Sequence, residues 1–228
     1  MMNNHQLKKL LLNNGANLVG YASLQVLPAV VRKKLPYGIS IVVALNPAIM
    51  TKIRSGPTHE YYAEYKRVNT LLNTLSAMAA DYLKKQGARA ITLSATESDL
   101  DLNTLAVPLP HKTVATRAGL GWIGRCALLI TRQYGSAVRL TSVLTDAPLA
   151  VKEPEEQSFC GECTSCLDIC PGHAVSGKIW QVGAARNTFF DAFACHRAAT
   201  EKANAVNIKT IICGMCIANC PWTLKYTG

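Results

Sequence analysis

Eight cysteines fall between residues 160 and 220, at spacings that suit iron–sulfur chemistry. Cys160, Cys163, Cys166 and Cys170 run as C-x₂-C-x₂-C-x₃-C, and Pro171 follows. Three thiolates from one tight loop can cap three corners of a cubane, while the fourth points away and serves a second cluster. The pattern recurs fifty residues on: Cys213, Cys216, Cys220 and Pro221 stand fifty beyond Cys163, Cys166, Cys170 and Pro171. Position 210, fifty beyond Cys160, is Thr210, so the repeat lacks one ligand. Cys195 is the remaining cysteine of this region and the natural substitute. The expected ligand sets therefore cross, with Cys160, Cys163, Cys166 and Cys220 on one [4Fe–4S] cluster and Cys170, Cys195, Cys213 and Cys216 on the other. Zinc is the competing reading, because C-x₂-C pairs also bind it, but structural zinc rarely uses the third step and the C-x₃-C-P ending.

The ninth cysteine, Cys126, is remote in sequence and reads as a small buried apolar residue at a strand start. A redox or cofactor contact is its alternative. His111, His173 and His196 read as surface or hydrogen-bonded histidines, with ligation or proton donation as the other option.

The stretch from Lys152 to Ser158 is polar, contains Pro154 and has the composition of a linker. It divides an α/β or α+β domain, residues 1–155, from a cysteine-rich domain, residues 156–228. In the first, Leu7, Leu10 and Leu11 mark a short helix, while Leu18–Tyr21, Ile39–Leu45 and Ala90–Leu93 predict strands. A long helix follows Gly56, with a stripe of Tyr61, Tyr65, Val68, Leu72, Leu75, Ala79 and Tyr82, and stops at Gly87. Tyr61, Tyr62 and Tyr65 belong mostly to that stripe, although one phenol could act as an acid. Residues 126–145 predict a hairpin, with Ala127–Ile130 turning at Gln133–Gly135 into Val138–Leu144.

Of the 228 residues, 49% are hydrophobic and 17% charged, which excludes disordered and fibrous classes. No apolar run approaches the roughly 18 residues of a membrane span. No signal-peptide core or twin-arginine pair is present, so the expected setting is cytoplasmic. Thiols there favour metal over disulfides. The formal charge is +10. Two oxidised clusters with four thiolates each carry −2 apiece and bring it to about +6, which permits a nucleic-acid partner without requiring one.

Gly119-Leu120-Gly121-Trp122-Ile123-Gly124 matches G-x-G-x-x-G, the dinucleotide fingerprint. The order of elements is reversed, however: Val114, Ala115 and Ala118 predict a helix before the loop, and the strand comes after it. A Rossmann site is rejected. The glycines imply backbone passing close to something flat or large, with a tight helix-to-strand turn as the plain alternative.

Arg117-Ala118-Gly119-Leu120-Gly121-Trp122-Ile123-Gly124-Arg125, taken with the double cysteine run ending Cys220-Pro221-Trp222, resembles the epoxyqueuosine reductases. These are cobalamin-dependent iron–sulfur enzymes of tRNA modification, related to reductive dehalogenases. The resemblance implies an α+β fold, a nitroreductase-like corrinoid-binding domain followed by a ferredoxin-like double [4Fe–4S] domain. It implies base-off cobalamin along Ala118, Gly119, Leu120, Gly121, Trp122, Ile123, Gly124 and Arg125. It also implies an electron donor such as a ferredoxin or flavodoxin, and a tRNA or small-molecule substrate. The sequence departs from the family in two ways. Leu105 stands where the family has its catalytic aspartate, with Asp99 and Asp101 out of register, and the chain stops at Gly228, short of the family's tRNA-holding C-terminal region. The expected function is thus a cobalamin-dependent reductase, and the alternative is a non-catalytic electron carrier or corrinoid activator.

Overall fold

The structure is a computed structural model that describes residues 4–96 and 100–228. By compactness the chain forms two interleaved units, one of Met1–Val43, Val68–Leu120 and Arg139–Glu155, the other of Ala44–Arg67, Gly121–Val138 and Glu156–Gly228. One cut falls in the expected linker. Residues 44–67 and 121–138, which the sequence reading placed with residues 1–155, group instead with the cysteine segment.

The first unit is built on a four-stranded sheet in the order β1-β2-β6-β3. β1 (Leu18–Ser23) and β2 (Tyr37–Ala44) pair antiparallel, Leu18 opposite Val42. β3 (Ala90–Leu93) pairs antiparallel with β6 (Val138–Thr145), Ala90 opposite Thr145. β2 is buried from Gly38 to Val43, as its unbroken apolar run requires of a strand covered on both faces. Helix α1 (Asn4–Asn13) buries Leu7 and Leu11. The long helix α3 (His59–Lys85) buries Val68, Leu72, Leu75 and Ala79 along the expected stripe. Helix α4 (His111–Arg117) adds Val114, which with Ala118 joins a core of Ala22, Leu24, Leu35, Leu93, Leu109 and Leu144.

In the second unit the expected hairpin is not formed. β5 (Leu129–Ile130) pairs backward with β4 (Trp122–Ile123), Trp122 opposite Ile130, while Val138 onward joins the sheet of the first unit. The reversal is made by a tight turn in which the Ala127 amide donates to the Gly124 carbonyl at 2.9 Å and Ala127 takes a left-handed φ of 59°. Alternating apolar residues predict a strand but do not say which neighbour it pairs with.

Two four-residue helices, α5 (Ser165–Asp168) and α7 (Met215–Ala218), start fifty residues apart and pack on each other, so the sequence repeat is also a structural one. Between them lies α6 (Ala192–Asn204), capped by Asp191, whose carboxylate accepts from the Phe193 and Ala194 amides at 2.9 Å. A short α2 (Pro47–Met50) and the terminal α8 (Pro221–Thr227), opened by its proline, complete the unit. Among the described residues no helix is long and apolar enough to cross a membrane.

Candidate metal centre

All nine cysteines are free thiols. Cys160, Cys163, Cys166 and Cys220 line one cavity together with Arg125, Cys126, Ile130, Pro221 and Trp222. Cys220 comes from the second repeat and joins three cysteines of the first, so the grouping is crossed. The cavity wall is aromatic on one side. Trp122 is fully buried, with its ring centroid 5.0 Å from that of Trp222 and 5.3 Å from that of Phe159. Trp122 and Ile130 form a core with Cys220, against which Cys160 packs. Burial pushes the Cys220 thiol up, and contact with Cys126 followed by burial does the same to Cys166.

Cys195 sits in the first turn of α6, where burial and the neighbouring Cys170 and Cys213 push its thiol up to about 11. Gly172 makes this approach possible. A Cβ there would lie 2.6 Å from the Ala194 carbonyl oxygen and 2.8 Å from the Ala198 methyl, so the chain after Cys170 can lie on α6 only without a side chain. The Ala174 amide donates to Cys170 Sγ at 3.3 Å. Cys170, Cys195 and Cys213 are thus neighbours, and Cys216 follows on α7.

Cys126, expected as a small buried residue with a redox or cofactor contact as the alternative, is buried. It is 3% exposed and interacts electrostatically with Cys166 and Cys216, one thiol of each expected set. Nothing in its local sequence marks it, because the contacts are made across the fold.

Two further groups test the fit of a sulfur-rich anionic ligand. Trp122 Nε1 and Arg125 Nε are buried N–H donors with no acceptor. Buried donors rarely go unpaired, and these two belong to side chains around the first group of thiols. Thiolate and sulfide sulfurs accept such bonds, so the residues present fit a cluster in that cavity. Among the described residues no three His, Cys, Asp or Glu side chains converge on a single-ion site.

The glycines of the loop are points of close backbone approach. A Cβ on Gly121 would overlap the Ile130 carbonyl, one on Gly119 would come 2.7 Å from the Glu153 carbonyl oxygen, and one on Gly124 would come 2.5 Å from Ile130 Cδ1. At all three positions the space a side chain would take is filled by the chain's own atoms. The division between the units falls inside the loop, between Leu120 and Gly121.

Candidate proton donors are also accounted for. His111 Nε2 donates to the Ser94 carbonyl at 2.8 Å, which leaves Nδ1 to accept from the Ser142 hydroxyl at 3.0 Å. Burial lowers its pKa to about 4, so it is a neutral, hydrogen-bonded histidine. Asp101 folds its carboxylate into its own turn, accepting from the Asn103 amide and the Thr104 hydroxyl at 2.9 Å, and these bonds hold it ionised. Leu105 lies in the same segment with a left-handed φ of 48°. Asp99 lies outside the described residues. Tyr61 is buried in the stripe, His173 is exposed, and His196 is half-buried beside Cys195.

Residues 159–223 match the family described as a 4Fe-4S double cluster binding domain. Epoxyqueuosine reductase of Pseudomonas aeruginosa is 42% identical over 72 residues, 32% of this chain and 20% of that protein. Epoxyqueuosine reductase of Escherichia coli is 33% identical over 118 residues, 51% of this chain and 31% of that protein. The matches thus span between a fifth and a third of these relatives' length. Among solved structures, a reductive dehalogenase described with a mechanism for B12-dependent dehalogenation superposes with a TM-score of 0.73 at 19% identity, covering 95% of this chain and 31% of that one. An epoxyqueuosine reductase solved with an epoxyqueuosine-modified tRNA stem loop gives 0.64 at 20% identity, covering 97% and 66%. The chain is thus similar to epoxyqueuosine reductases in sequence over about half its length, and its fold resembles theirs over nearly all of it.

Proposed function

We propose that the chain is an iron–sulfur, cobalamin-dependent reductase of the epoxyqueuosine-reductase kind, working in the cytoplasm. The crossed grouping of the cysteines is the observation that carries it. Cys160, Cys163, Cys166 and Cys220 would hold one [4Fe–4S] cluster, and Cys170, Cys195, Cys213 and Cys216 the other. When bound, the clusters supply one-electron transfer and the corrinoid supplies a strongly reducing metal centre. Trp122 and Trp222 pack beside the first set of thiols, and the amide of Ala174 donates to Cys170 Sγ. The first unit is read as the nitroreductase-like part, and residues 118–125 as contributing to the corrinoid site. An electron donor of the ferredoxin or flavodoxin type and a tRNA or small-molecule substrate complete the reading. The positive charge left after cluster loading, about +6, is compatible with tRNA.

A second reading, an electron carrier or corrinoid activator without catalysis of its own, is favoured by one set of facts. On an ungapped reading Leu105 would occupy the position of the family's catalytic aspartate, and Asp101 keeps its carboxylate within its own turn. A positioned general acid contributes about 10²–10⁴ in rate, and neither Leu105 nor Asp101 supplies one. One preparation tests both readings. Anaerobically reconstituted protein should hold about eight irons and eight sulfides per chain. Added cobalamin should then show the absorption bands of the base-off form. Iron without corrin binding would leave the carrier reading, and four irons or stoichiometric zinc would overturn both.

A further inference from the structure

Arg125 is 8% exposed and lines the cavity of Cys160, Cys163, Cys166 and Cys220. Its Nη2 donates to the Gly161 carbonyl at 2.6 Å, which ties it to the loop between Cys160 and Cys163. Its Nε is buried and has no acceptor. Neither Lys52–Glu60 nor Arg67–Glu64, the ion pairs found among the described residues, involves it. A guanidinium stays charged in any protein environment. Buried charges are normally paired, because leaving water uncompensated is expensive. This one has a carbonyl for a partner and four thiols for neighbours.

An oxidised [4Fe–4S] core with four thiolates carries −2, and one added electron makes it −3. Such a group supplies both the missing counter-charge and the missing acceptor. We infer that Arg125 is a positioning and tuning residue of the first cluster site: its Nε–H donates to a sulfur of the cluster held by Cys160, Cys163, Cys166 and Cys220, and its charge favours the reduced state of that cluster. This rests on the two-cluster reading and assigns Arg125 to the cluster instead of the corrin. Hydrogen bonds to cluster sulfurs and nearby charge are recognised levers on reduction potential. Among the described residues the second group has no buried, unpaired cation of this kind. Its nearby cation, Lys202, is half-buried and reached by water, and Asp191 opposes it with a negative charge near Cys195.

The test is a potentiometric EPR titration with dithionite of the reconstituted chain, its Arg125→Gln variant and its Arg125→Lys variant. Iron content of the unaltered protein is measured first and reports on the two-cluster reading alone; fewer than two clusters there overturns both ideas. Given two clusters, Arg125→Gln should lower one midpoint by at least a tenfold change in the reduced-to-oxidised ratio, 59 mV for a one-electron couple, and leave the other in place. Arg125→Lys, which keeps the charge, should recover most of the shift. In a Cys195→Ala background the displaced midpoint should belong to the surviving cluster. Loss of four irons from Arg125→Gln with retention in Arg125→Lys also supports the assignment. Two unmoved midpoints, equal shifts in both variants, or loss of iron from both would overturn it.

Discussion

Replacing Gly172 by alanine adds one methyl group at the contact that sets Cys195 beside Cys170. The backbone angles of Gly172 are ordinary for any residue, so the substitution tests space alone. The new Cβ would stand 2.6 Å from the Ala194 carbonyl oxygen and 2.8 Å from the Ala198 methyl. Ordinary contact begins near 3.4 Å, so the Cys170 segment and α6 must part by about 0.8 Å. Overpacking of this kind costs about 1–3 kcal/mol. The geometric effect is larger than the energetic one, because metal–ligand bonds tolerate only about 0.2 Å. The second thiol set should therefore lose a ligand while the first, which Gly172 does not touch, is unaffected. Iron analysis should fall from about eight toward four to seven per chain, and EPR should show one intact cubane with a degraded or three-iron companion. Full iron content and an unchanged spectrum in Gly172→Ala would refute the argument that this approach positions Cys195.

Cys195→Ala tests the ligand itself: it should degrade the second cluster and spare the first, with EPR of the reduced protein as the readout. Two unaltered cubanes would move attention to His196 or Cys126. For His111, an unfolded chain binds a proton below about pH 6.5 whereas the folded one does not until about 4. Stability should thus fall as pH drops through that window, by up to ~3 kcal/mol, and His111→Asn should flatten the slope in denaturant titrations at several pH values.

The cysteine chemistry was legible because ligand spacing is a local property and the repeat doubled the signal. Even the vacancy at Thr210 could be read by adding fifty. The stripe of α3 and the double-sided burial of β2 were legible for the same reason, since periodicity is local. What failed depended on partners far along the chain. The strand at Leu129–Ile130 was visible, but its pairing with Trp122–Ile123 was set by a turn at Gly124–Ala127 that no propensity marks for an alanine with positive φ. The glycines of the loop were correctly read as points of close approach, yet what approaches Gly121 is the Ile130 backbone. Arg125 and Cys126 were invisible as neighbours of the thiols because their partners, Gly161 in one case and Cys166 and Cys216 in the other, lie at least 36 residues away.

The crossing has a physical consequence for the second unit as a whole. If each cluster held ligands from its own repeat, each repeat could fold and load alone. With the proposed sets, Cys220 closes a loop back to Cys160, and Cys170 reaches forward to Cys213 and Cys216. A cross-link over some sixty residues removes on the order of 4 kcal/mol of freedom from an unfolded chain, by the chain-entropy account used for disulfides. Gly172 lets the chain after Cys170 lie on α6, and Trp122 packs the β4–β5 hairpin beside Cys220 and Cys160. Residues 121–138 therefore belong with the cysteines for an energetic reason as well as a geometric one: their Trp122, Arg125, Cys126 and Ile130 surround the first thiol group. A hairpin that appears in sequence to belong to the preceding domain is, by its contacts, part of the wall around these thiols.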